Sequence, residues 1–273
     1  MRQWNVATGE LNWSIPVSGA FALAGAADGK WLATAEGHEI QLRDPATGQV
    51  TRKWSIDKRL LALAFSPDGK TLAGGIGEWK QPTKGGVQTW DVENGTLENS
   101  WSEDDVTRFV HYSPDGRYLA GSSTSVKVWE ANTGKLVRIL PCSGKFGFSP
   151  DGKQIAAMVP HGDEPSRAGK RYDVRIYDVQ TGKTLKTFAG EHDTLESWIL
   201  WIEFSPGGRL LAAADWNGTA TLWNVETGEL QKTITEHEGG VHVARFSPDG
   251  MNLATASEDR TLRLWDVMEL MAQ

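Results

Sequence analysis

The amino-acid sequence predicts an all-β fold built from repeated units of four antiparallel strands. Three observations support this prediction. A turn of the Ser-Pro-Asp-Gly type occurs six times, a dipeptide of the Trp-Asp type occurs seven times, and every Trp-Asp copy except the last is followed by Thr-Gly or Asn-Gly. Because the three features recur in a fixed order, they indicate one structural unit that is repeated along the chain.

The last unit shows the pattern most completely. An alternating strand at 239–246 leads into the turn Ser247–Gly250, and a strand of small residues follows at 253–257. After a polar turn at 258–260, a third strand ends in Trp265-Asp266. In the turn, proline presets one backbone angle, the Asp side chain accepts backbone hydrogen bonds, and glycine takes the left-handed position. Each unit therefore predicts strands joined by tight turns.

The spacing of the Trp-Asp copies sets the length of the unit. Successive copies are separated by 39 to 48 residues. A period of about 40 to 45 residues with four short strands is typical of β-propeller blades. The copies are Trp4-Asn5, Arg43-Asp44, Trp90-Asp91, Trp129-Glu130, Tyr177-Asp178, Trp223-Asn224 and Trp265-Asp266.

These residues resemble the WD-repeat β-propeller family, and the resemblance extends over essentially the whole chain. A more distant similarity to TolB-like propellers and to the propeller caps of prolyl peptidases is found in 173–178. The resemblance to WD repeats implies a structural hydrogen-bond network in the last unit. Its members would be His237, Asp259, Trp265 and either Thr255 or Ser257, and the other candidate position for its histidine is His192.

We expect a single domain over 1–273, with 1–15 as a partial unit. Residues 1–6 nearly duplicate 262–267, and both segments would pair with the same fourth strand at 11–15. Six blades are favoured, with the ring closed when 11–15 completes the last blade and displaces 1–6. The alternative is an incomplete seventh blade of two strands in a piece of a longer product.

Large aromatic residues are expected in the core once per unit. They occur at the end of the third strand and just before the Ser-Pro turn, whereas the middle strands are small or aliphatic on both faces. Such strands are typical of sheets that neighbouring blades cover on both sides. The aromatic residues before the turns are Phe65, Tyr112, Phe148, Phe204 and Phe246.

Composition argues against several function classes. The formal charge of -7, from 28 basic and 35 acidic side chains, gives no electrostatic reason to expect nucleic acid or an anionic membrane as partner. The single cysteine, Cys142, has no second cysteine for a disulfide or a Cys-type metal site. No segment has the roughly 18 to 20 apolar residues that cross a bilayer. The small-residue stretch at 17–27 could be mistaken for a signal segment. We interpret it as a strand, since 21–24 aligns with the strand at 61–64. We also expect the protein to be cytoplasmic.

Two long connections are the main candidates for a binding site. They lie at 77–86 and 160–171, between the second and third strands of the second and fourth units. In WD-repeat propellers these connections emerge on one face, together with those that join one unit to the next. Insertions that the repeat does not need for packing are common places for function.

The residues of these connections predict protein binding. Trp79 does not occupy a core position of the repeat and lies beside Lys80 and Lys84, so it is interpreted as a binding anchor, or alternatively as a cover over the blade edge. A merely solvated loop is the preferred interpretation of the second insertion, and part of the binding face is the alternative. The remaining candidates are His161, Asp163, Arg167 and Arg171 in the second insertion and Glu191 and Asp193 in the connection to the fifth unit, 191–198, which ends at Trp198.

No catalytic motif is present. The chain has no Gly-x-Ser-x-Gly, no His-Glu-x-x-His and no Gly-rich phosphate loop. A metal site of His161, Asp163, Glu164, His192 and Asp193 lacks any supporting spacing. We therefore expect a non-catalytic scaffold that needs no cofactor, binds a protein or peptide, and is monomeric unless the ring is open. The alternatives are a propeller module that caps a catalytic domain absent from this chain, and a spacer between other domains.

Overall fold

Antiparallel β-sheets are the main element of the structure. The structure is a computed structural model, and it describes residues 1–17, 20–78, 81–103, 106–160, 172–188 and 198–272. The strands form seven sheets, of which five have four strands, one has three and one has two. This arrangement confirms the predicted all-β class. Contacts divide the chain into two compact units, described separately below. The single domain over 1–273 stays a prediction.

The first unit comprises Met1–Tyr112, Leu119–Ser123 and Ala131–Gly134. Its two-stranded sheet consists of β1 (Arg2–Trp4) and β2 (Leu11–Ser14). The next sheet consists of β3 (Ala20–Gly25), β4 (Leu32–Glu36), β5 (Glu39–Arg43) and β6 (Val50–Ser55), and the one after it of β7 (Leu60–Phe65), β8 (Thr71–Glu78), β9 (Gln81–Asp91) and β10 (Leu97–Glu103). In each sheet the strands pair in chain order.

The second unit comprises Ser113–Tyr118, Thr124–Glu130 and Lys135–Gln273. One sheet has residues in both units and consists of β11 (Phe109–Tyr112), β12 (Tyr118–Ser122), β13 (Val126–Glu130) and β14 (Leu136–Leu140). Two further four-stranded sheets consist of β15 (Ser143–Phe148), β16 (Gln154–Pro160), β17 (Tyr172–Asp178) and β18 (Thr184–Phe188), and of β19 (Ile199–Phe204), β20 (Leu210–Asp215), β21 (Ala220–Asn224) and β22 (Leu230–Ile234). The last sheet consists of β23 (Val241–Phe246), β24 (Asn252–Ser257) and β25 (Leu262–Asp266), followed by α1 (Val267–Ala272). Within the described ranges, no helix has the length and apolarity needed to cross a bilayer.

The Ser-Pro-Asp-Gly turns join the first and second strands of every sheet except the β1–β2 sheet, as predicted. In the turn before β12, the Ser113 hydroxyl donates to Asp115 Oδ1 at 2.6 Å and accepts from the Tyr118 amide at 2.9 Å. Gly116 has a φ of 71° and donates its amide to the Ser113 carbonyl at 2.9 Å. Because the turn satisfies its own polar groups, it needs no support from the rest of the sheet.

A second repeated contact joins successive sheets as far as the β19–β22 sheet. The turn after the third strand contains a glycine with positive φ, and a side chain from the fourth strand of the preceding sheet lies over it. A Cβ atom added at Gly95 would be 2.9 Å from the Trp54 ring, and one at Gly48 would be 3.1 Å from the Trp13 ring. Trp13 Nε1 also donates to the Pro45 carbonyl at 3.0 Å. Glycine is therefore required at these turns both by backbone angle and by space.

The predicted aromatic core is confirmed at most positions. Phe65, Phe204 and Phe246 are buried, whereas Tyr112 and Phe148 are only half-buried. At the ends of the third strands, the buried aromatic residues are Trp90, Trp129, Tyr177 and Trp223. The exceptions there are Trp265, which is half-buried, and Trp4, which is 47% exposed.

Arg43 takes the place of the third-strand aromatic residue in the β3–β6 sheet. It is 7% exposed, and its guanidinium lies 2.9 Å from Glu36 Oε1. It also donates to Thr34 Oγ1 at 3.3 Å and to the Gly48 carbonyl at 3.1 Å. The charge is thus paired and hydrogen-bonded, which is the condition under which a buried cation is tolerated.

The segment 77–86, expected to be a long loop, is largely a β-hairpin. β8 continues to Glu78 and β9 starts at Gln81, so the pairing reaches Glu78 opposite Gln81. The loop interpretation is therefore wrong for the described residues. Close packing explains the glycine at the start of this segment, because a Cβ atom at Gly77 would lie 2.5 Å from the Val106 side chain.

Near the beginning of the chain, β2 pairs with β1. Trp4 lies opposite Leu11, and the Met1 ammonium donates to the Ile15 carbonyl at 2.7 Å. Residues 1–6 thus occupy the position beside β2 that the closure hypothesis assigns to 262–267. A six-residue connection makes this local pairing entropically inexpensive. Completion of the last blade by residues 11–15 stays a prediction.

Candidate functional site

Most of the predicted binding residues lie outside the described part of the chain. For Lys84 the structure gives the backbone, within β9, and not the side chain. The residues outside the described ranges are Trp79, Lys80, His161, Asp163, Arg167, Arg171, Glu191 and Asp193. Their part in binding stays a prediction.

The structure brings four of the predicted network residues together in the last sheet. Trp265 Nε1 donates to Thr255 Oγ1 at 2.9 Å, and Thr255 Oγ1 lies 2.7 Å from His237 Nε2. His237 Nδ1 lies 2.8 Å from Asp259 Oδ2. Ser257 is not part of this chain of bonds, because its hydroxyl donates to the Gly239 carbonyl at 2.8 Å. Thr255 is therefore the hydroxyl residue of the network.

The network has the order hydroxyl, imidazole and carboxylate, as in a hydrolase, yet it is built for support. The side chain of His237 has no exposed surface, and Thr255 is 0% exposed. The hydroxyl of Thr255 already accepts a hydrogen bond from Trp265 and faces the histidine. A nucleophile must reach its substrate, so a group enclosed in this way stabilises the sheet and does not attack a substrate.

Asp259 gives the network a predicted dependence on pH. The Thr261 hydroxyl and then His237 hold the pKa of Asp259 well below its usual range, with further help from the backbone amides of Thr261 and Glu238. Since the folded pKa is depressed, the stabilisation is complete above the unfolded value of about 4 and is lost as pH falls toward the folded value. We expect the melting temperature of the parent chain to fall more steeply below about pH 4 than that of Asp259→Asn. Melting curves of the two that run parallel from pH 6 to pH 3 would contradict the role of Asp259.

An exposed surface at one end of the second unit contains two tryptophans. Trp198, immediately before β19, is 41% exposed, and Trp216, in the turn between β20 and β21, is 54% exposed. The Trp216 amide donates to the Trp198 carbonyl at 3.0 Å. We call Trp198, Trp216, His242 and Glu258 the tryptophan surface. Its connections are of the two kinds from which the sequence predicted binding, namely between second and third strands and between successive sheets.

Polar groups extend the tryptophan surface onto the last sheet. The His242 ring lies edge-on to Trp216, with 5.9 Å between the ring centroids. His242 Nε2 is 3.2 Å from Glu258 Oε1, and the two side chains are 45% and 46% exposed. The surface therefore combines large apolar rings with a charged, solvated edge, which is the usual composition of a protein-binding patch.

The tryptophan surface is supported from below. The ring of Tyr172, which is 1% exposed, packs edge-on against Trp198 with 5.5 Å between centroids. The Glu258 amide donates to the Gly240 carbonyl at 3.0 Å, and a Cβ atom at Gly240 would lie 3.1 Å from the Trp216 carbonyl oxygen. Such support holds the surface in place before a partner arrives, so little entropy is lost on binding.

The tryptophan surface consists of two exposed rings and one solvated imidazole–carboxylate pair, His242 and Glu258. Across the described ranges, no group of three or more His, Cys, Asp or Glu residues is arranged to hold a metal ion. The exposed aromatic rings favour binding of a macromolecule by burial of apolar area.

The sequence pointed to Trp198 only as part of a connecting segment and missed Trp216 altogether. A usable signal was present in the sequence. Trp216 follows β20 in a short turn, where the last repeat has the polar residues Glu258 and Asp259. The criterion that singled out Trp79, a tryptophan outside the core positions of the repeat, applies equally to Trp216.

Comparison with known proteins identifies the repeat. The family model described as WD domain, G-beta repeat matches residues 94–130, 182–224 and 228–266. Similar proteins include protein tipD of Dictyostelium discoideum, 28% identical over 110 residues that cover 40% of this chain and 17% of that protein. The U3 small nucleolar RNA-associated protein 21 homolog of Schizosaccharomyces pombe is 30% identical over 111 residues, or 40% of this chain and 11% of that protein.

A third relative is the COMPASS component SWD3 of Saccharomyces cerevisiae, 26% identical over 116 residues that cover 40% of this chain and 35% of that protein. In each of these relatives the similarity covers about a third of the protein's length or less.

Proposed function

We propose that this chain is a non-catalytic interaction scaffold of the WD-repeat type, since three of its segments match the WD-repeat model, and that a protein or peptide partner binds to the tryptophan surface. The observation that carries the proposal is the pair of exposed rings, Trp198 and Trp216, joined by one backbone hydrogen bond and supported by buried Tyr172. Tryptophan is among the residues that contribute most to protein interfaces. Two such rings side by side in water are costly for a surface that binds nothing.

The relatives support the same class of function. One relative is named as a component of COMPASS and another as associated with U3 small nucleolar RNA, so the name of each relative describes it as part of a larger assembly. For this chain, the net charge of -7 favours a protein partner over direct contact with nucleic acid.

The test measures binding of peptides selected on the folded chain from a displayed random library. We expect Trp216→Ala to weaken binding of the selected peptides at least about tenfold, the loss typical of an interface anchor. The matched control is Leu185→Ala, which removes an equally exposed apolar side chain, 51% exposed, from the outer strand β18. The far-ultraviolet circular dichroism of both variants should equal that of the parent.

The outcome also separates the two candidate surfaces. If Trp216→Ala binds the peptides as tightly as the parent while Trp79→Ala with Lys84→Glu does not, the binding site is the one predicted at 77–86. Failure to select any peptide that binds the folded chain would count against the scaffold function itself.

A further inference from the structure

The last sheet exposes two leucines at positions that are buried in all five four-stranded sheets, which we call the complete sheets. These positions lie one and three residues before the aromatic residue or Arg43 at the end of the third strand. In β25 they are Leu264 and Leu262, which are 47% and 63% exposed. The corresponding residues of the five complete sheets are all 1% exposed or less: Ile40 and Leu42, Val87 and Thr89, Val126 and Val128, Val174 and Ile176, and Ala220 and Leu222.

The first complete sheet has a matching exposed position on its first strand. Leu23 of β3 lies three residues before Ala26, the residue that takes the serine position of the Ser-Pro turn, and it is 58% exposed. The equivalent residues of the five later sheets are all buried, at 8% exposure or less: Leu63, Val110, Phe146, Ile202 and Ala244.

These two sets of positions meet at three junctions between successive sheets. Leu42 and Leu63 share one buried cluster, Ile176 and Ile202 share another, and Leu222 and Ala244 share a third. The face of Leu262 and Leu264 and the face of Leu23 therefore correspond to the two halves of the interface seen at these three junctions. Both halves are exposed in the single chain.

β25 also lacks a fourth strand among the strands that the structure describes. In the complete sheets the end of the third strand pairs with the residue seven positions later, as Trp223 does with Leu230. Seven positions after Trp265 the chain is in α1. A strand with the required register is present in β2, where Leu11 pairs with Trp4 and residues 1–6 nearly duplicate 262–267.

We propose that these faces form a head-to-tail interface between two copies of this chain. The last sheet of one copy packs Leu262 and Leu264 on Leu23 of a second copy, and β25 replaces β1 as the partner of β2. Because the single chain leaves both faces in water, a second copy buries apolar area that intrachain contacts leave exposed. The exchange costs little, since β1 has three residues and belongs to a two-stranded hairpin, which is marginally stable. A heterologous interface of this kind produces closed rings or open chains of copies.

The first experiment measures molar mass by light scattering across a range of concentrations. We expect the mean mass of the parent chain to rise with concentration, and Leu264→Glu to raise the dissociation constant at least about tenfold. The matched control, Leu185→Glu, places the same charge on an exposed leucine of the outer strand β18 and should associate like the parent. A parent chain that stays monomeric, or a control as weak as Leu264→Glu, would overturn the proposal.

The second experiment tests the pairing itself. Arg2 lies opposite Ser14, and Arg263 has the same position relative to Trp265 that Arg2 has relative to Trp4. Directly opposite residues of antiparallel strands are close enough for a disulfide. Burial raises the pKa of the Cys142 thiol to about 12, so the native cysteine does not compete.

We expect a mixture of the variants Ser14→Cys and Arg263→Cys to form a disulfide-linked dimer under mild oxidation, and neither variant alone to do so. In the double variant, a disulfide within one chain would show instead that β25 is completed by its own β2, and the second copy would be excluded as the partner. Absence of a disulfide in both samples would contradict the pairing. These results do not depend on the tryptophan surface.

Discussion

Trp223→Ala is expected to lower the free energy of unfolding by about 3 to 5 kcal/mol, the usual cost of removing a fully buried aromatic side chain from a core. Trp223 is 0% exposed and packs against Phe188 with 5.7 Å between the ring centroids. It belongs to the same buried cluster as Ile202 and Leu211. Since the surrounding strands are held by their own ladders, they cannot collapse into the space, and a cavity remains. Urea titration followed by circular dichroism measures the loss.

The control for this prediction is a tryptophan on the surface of the same unit. Trp216→Ala removes a ring that is 54% exposed, and its free energy of unfolding should stay within about 0.5 kcal/mol of the parent value. Equal losses for the two variants would show that burial does not set the contribution of these tryptophans. Because the chain consists of repeats, the midpoints observed by circular dichroism and by tryptophan fluorescence should also be compared, to test whether unfolding is two-state.

Thr255→Val is expected to destabilise the last sheet by roughly 2 to 6 kcal/mol, since it removes the shared partner of two polar groups and each such loss costs about 1 to 3 kcal/mol. The shape of the side chain is almost unchanged, so the loss measures hydrogen bonding. Trp265 Nε1 then has no acceptor at Thr255, and His237 Nε2 loses its hydroxyl neighbour. The free energy of unfolding is measured by urea titration of the parent and the variant.

Two further variants make the Thr255 result specific. Thr255→Ser keeps the hydroxyl and should recover most of the loss. Ser257→Ala removes two hydrogen bonds, one donated to the Gly239 carbonyl and one accepted from the Asp259 amide, and should cost only about 1 to 2 kcal/mol because neither bond lies in the network. If Ser257→Ala proves more harmful than Thr255→Val, the assignment of Thr255 to the network is wrong.

The fold was predictable because its signals are local and repeated. A Ser-Pro-Asp-Gly turn satisfies its own hydrogen bonds, so its geometry does not depend on distant residues, and the turn from Ser113 to Gly116 has the expected form. Thr255 and Ser257 are two residues apart on one strand and therefore point to the same face. The sequence left both open because the choice depends on cross-strand register: Leu253 lies opposite Trp265, which brings Thr255 within reach of the indole.

The candidate site was less predictable because it depends on contacts between sheets. Nothing near Trp216 in the sequence indicates that its amide binds the Trp198 carbonyl or that His242 stacks on its edge. The hairpin at 77–86 was mistaken for a loop because glycine is equally common in turns, and only the close approach of Val106 to Gly77 shows the packing role of that glycine. Arg43 was recognised as a third-strand residue, but its pairing with Glu36 depends on the strands being aligned.

The contact between a fourth strand and the next sheet's glycine also limits how this protein can be recombined. Trp54 and Gly95, like Trp13 and Gly48, come from different sheets, so the ring and the space that it fills are encoded in neighbouring repeats. A chimaera that exchanges one sheet with a homologous protein would separate each ring from its glycine at both junctions. Crossover points placed just before a fourth strand would transfer ring and glycine together, so the segment suited to transplantation is offset from the visible sheet.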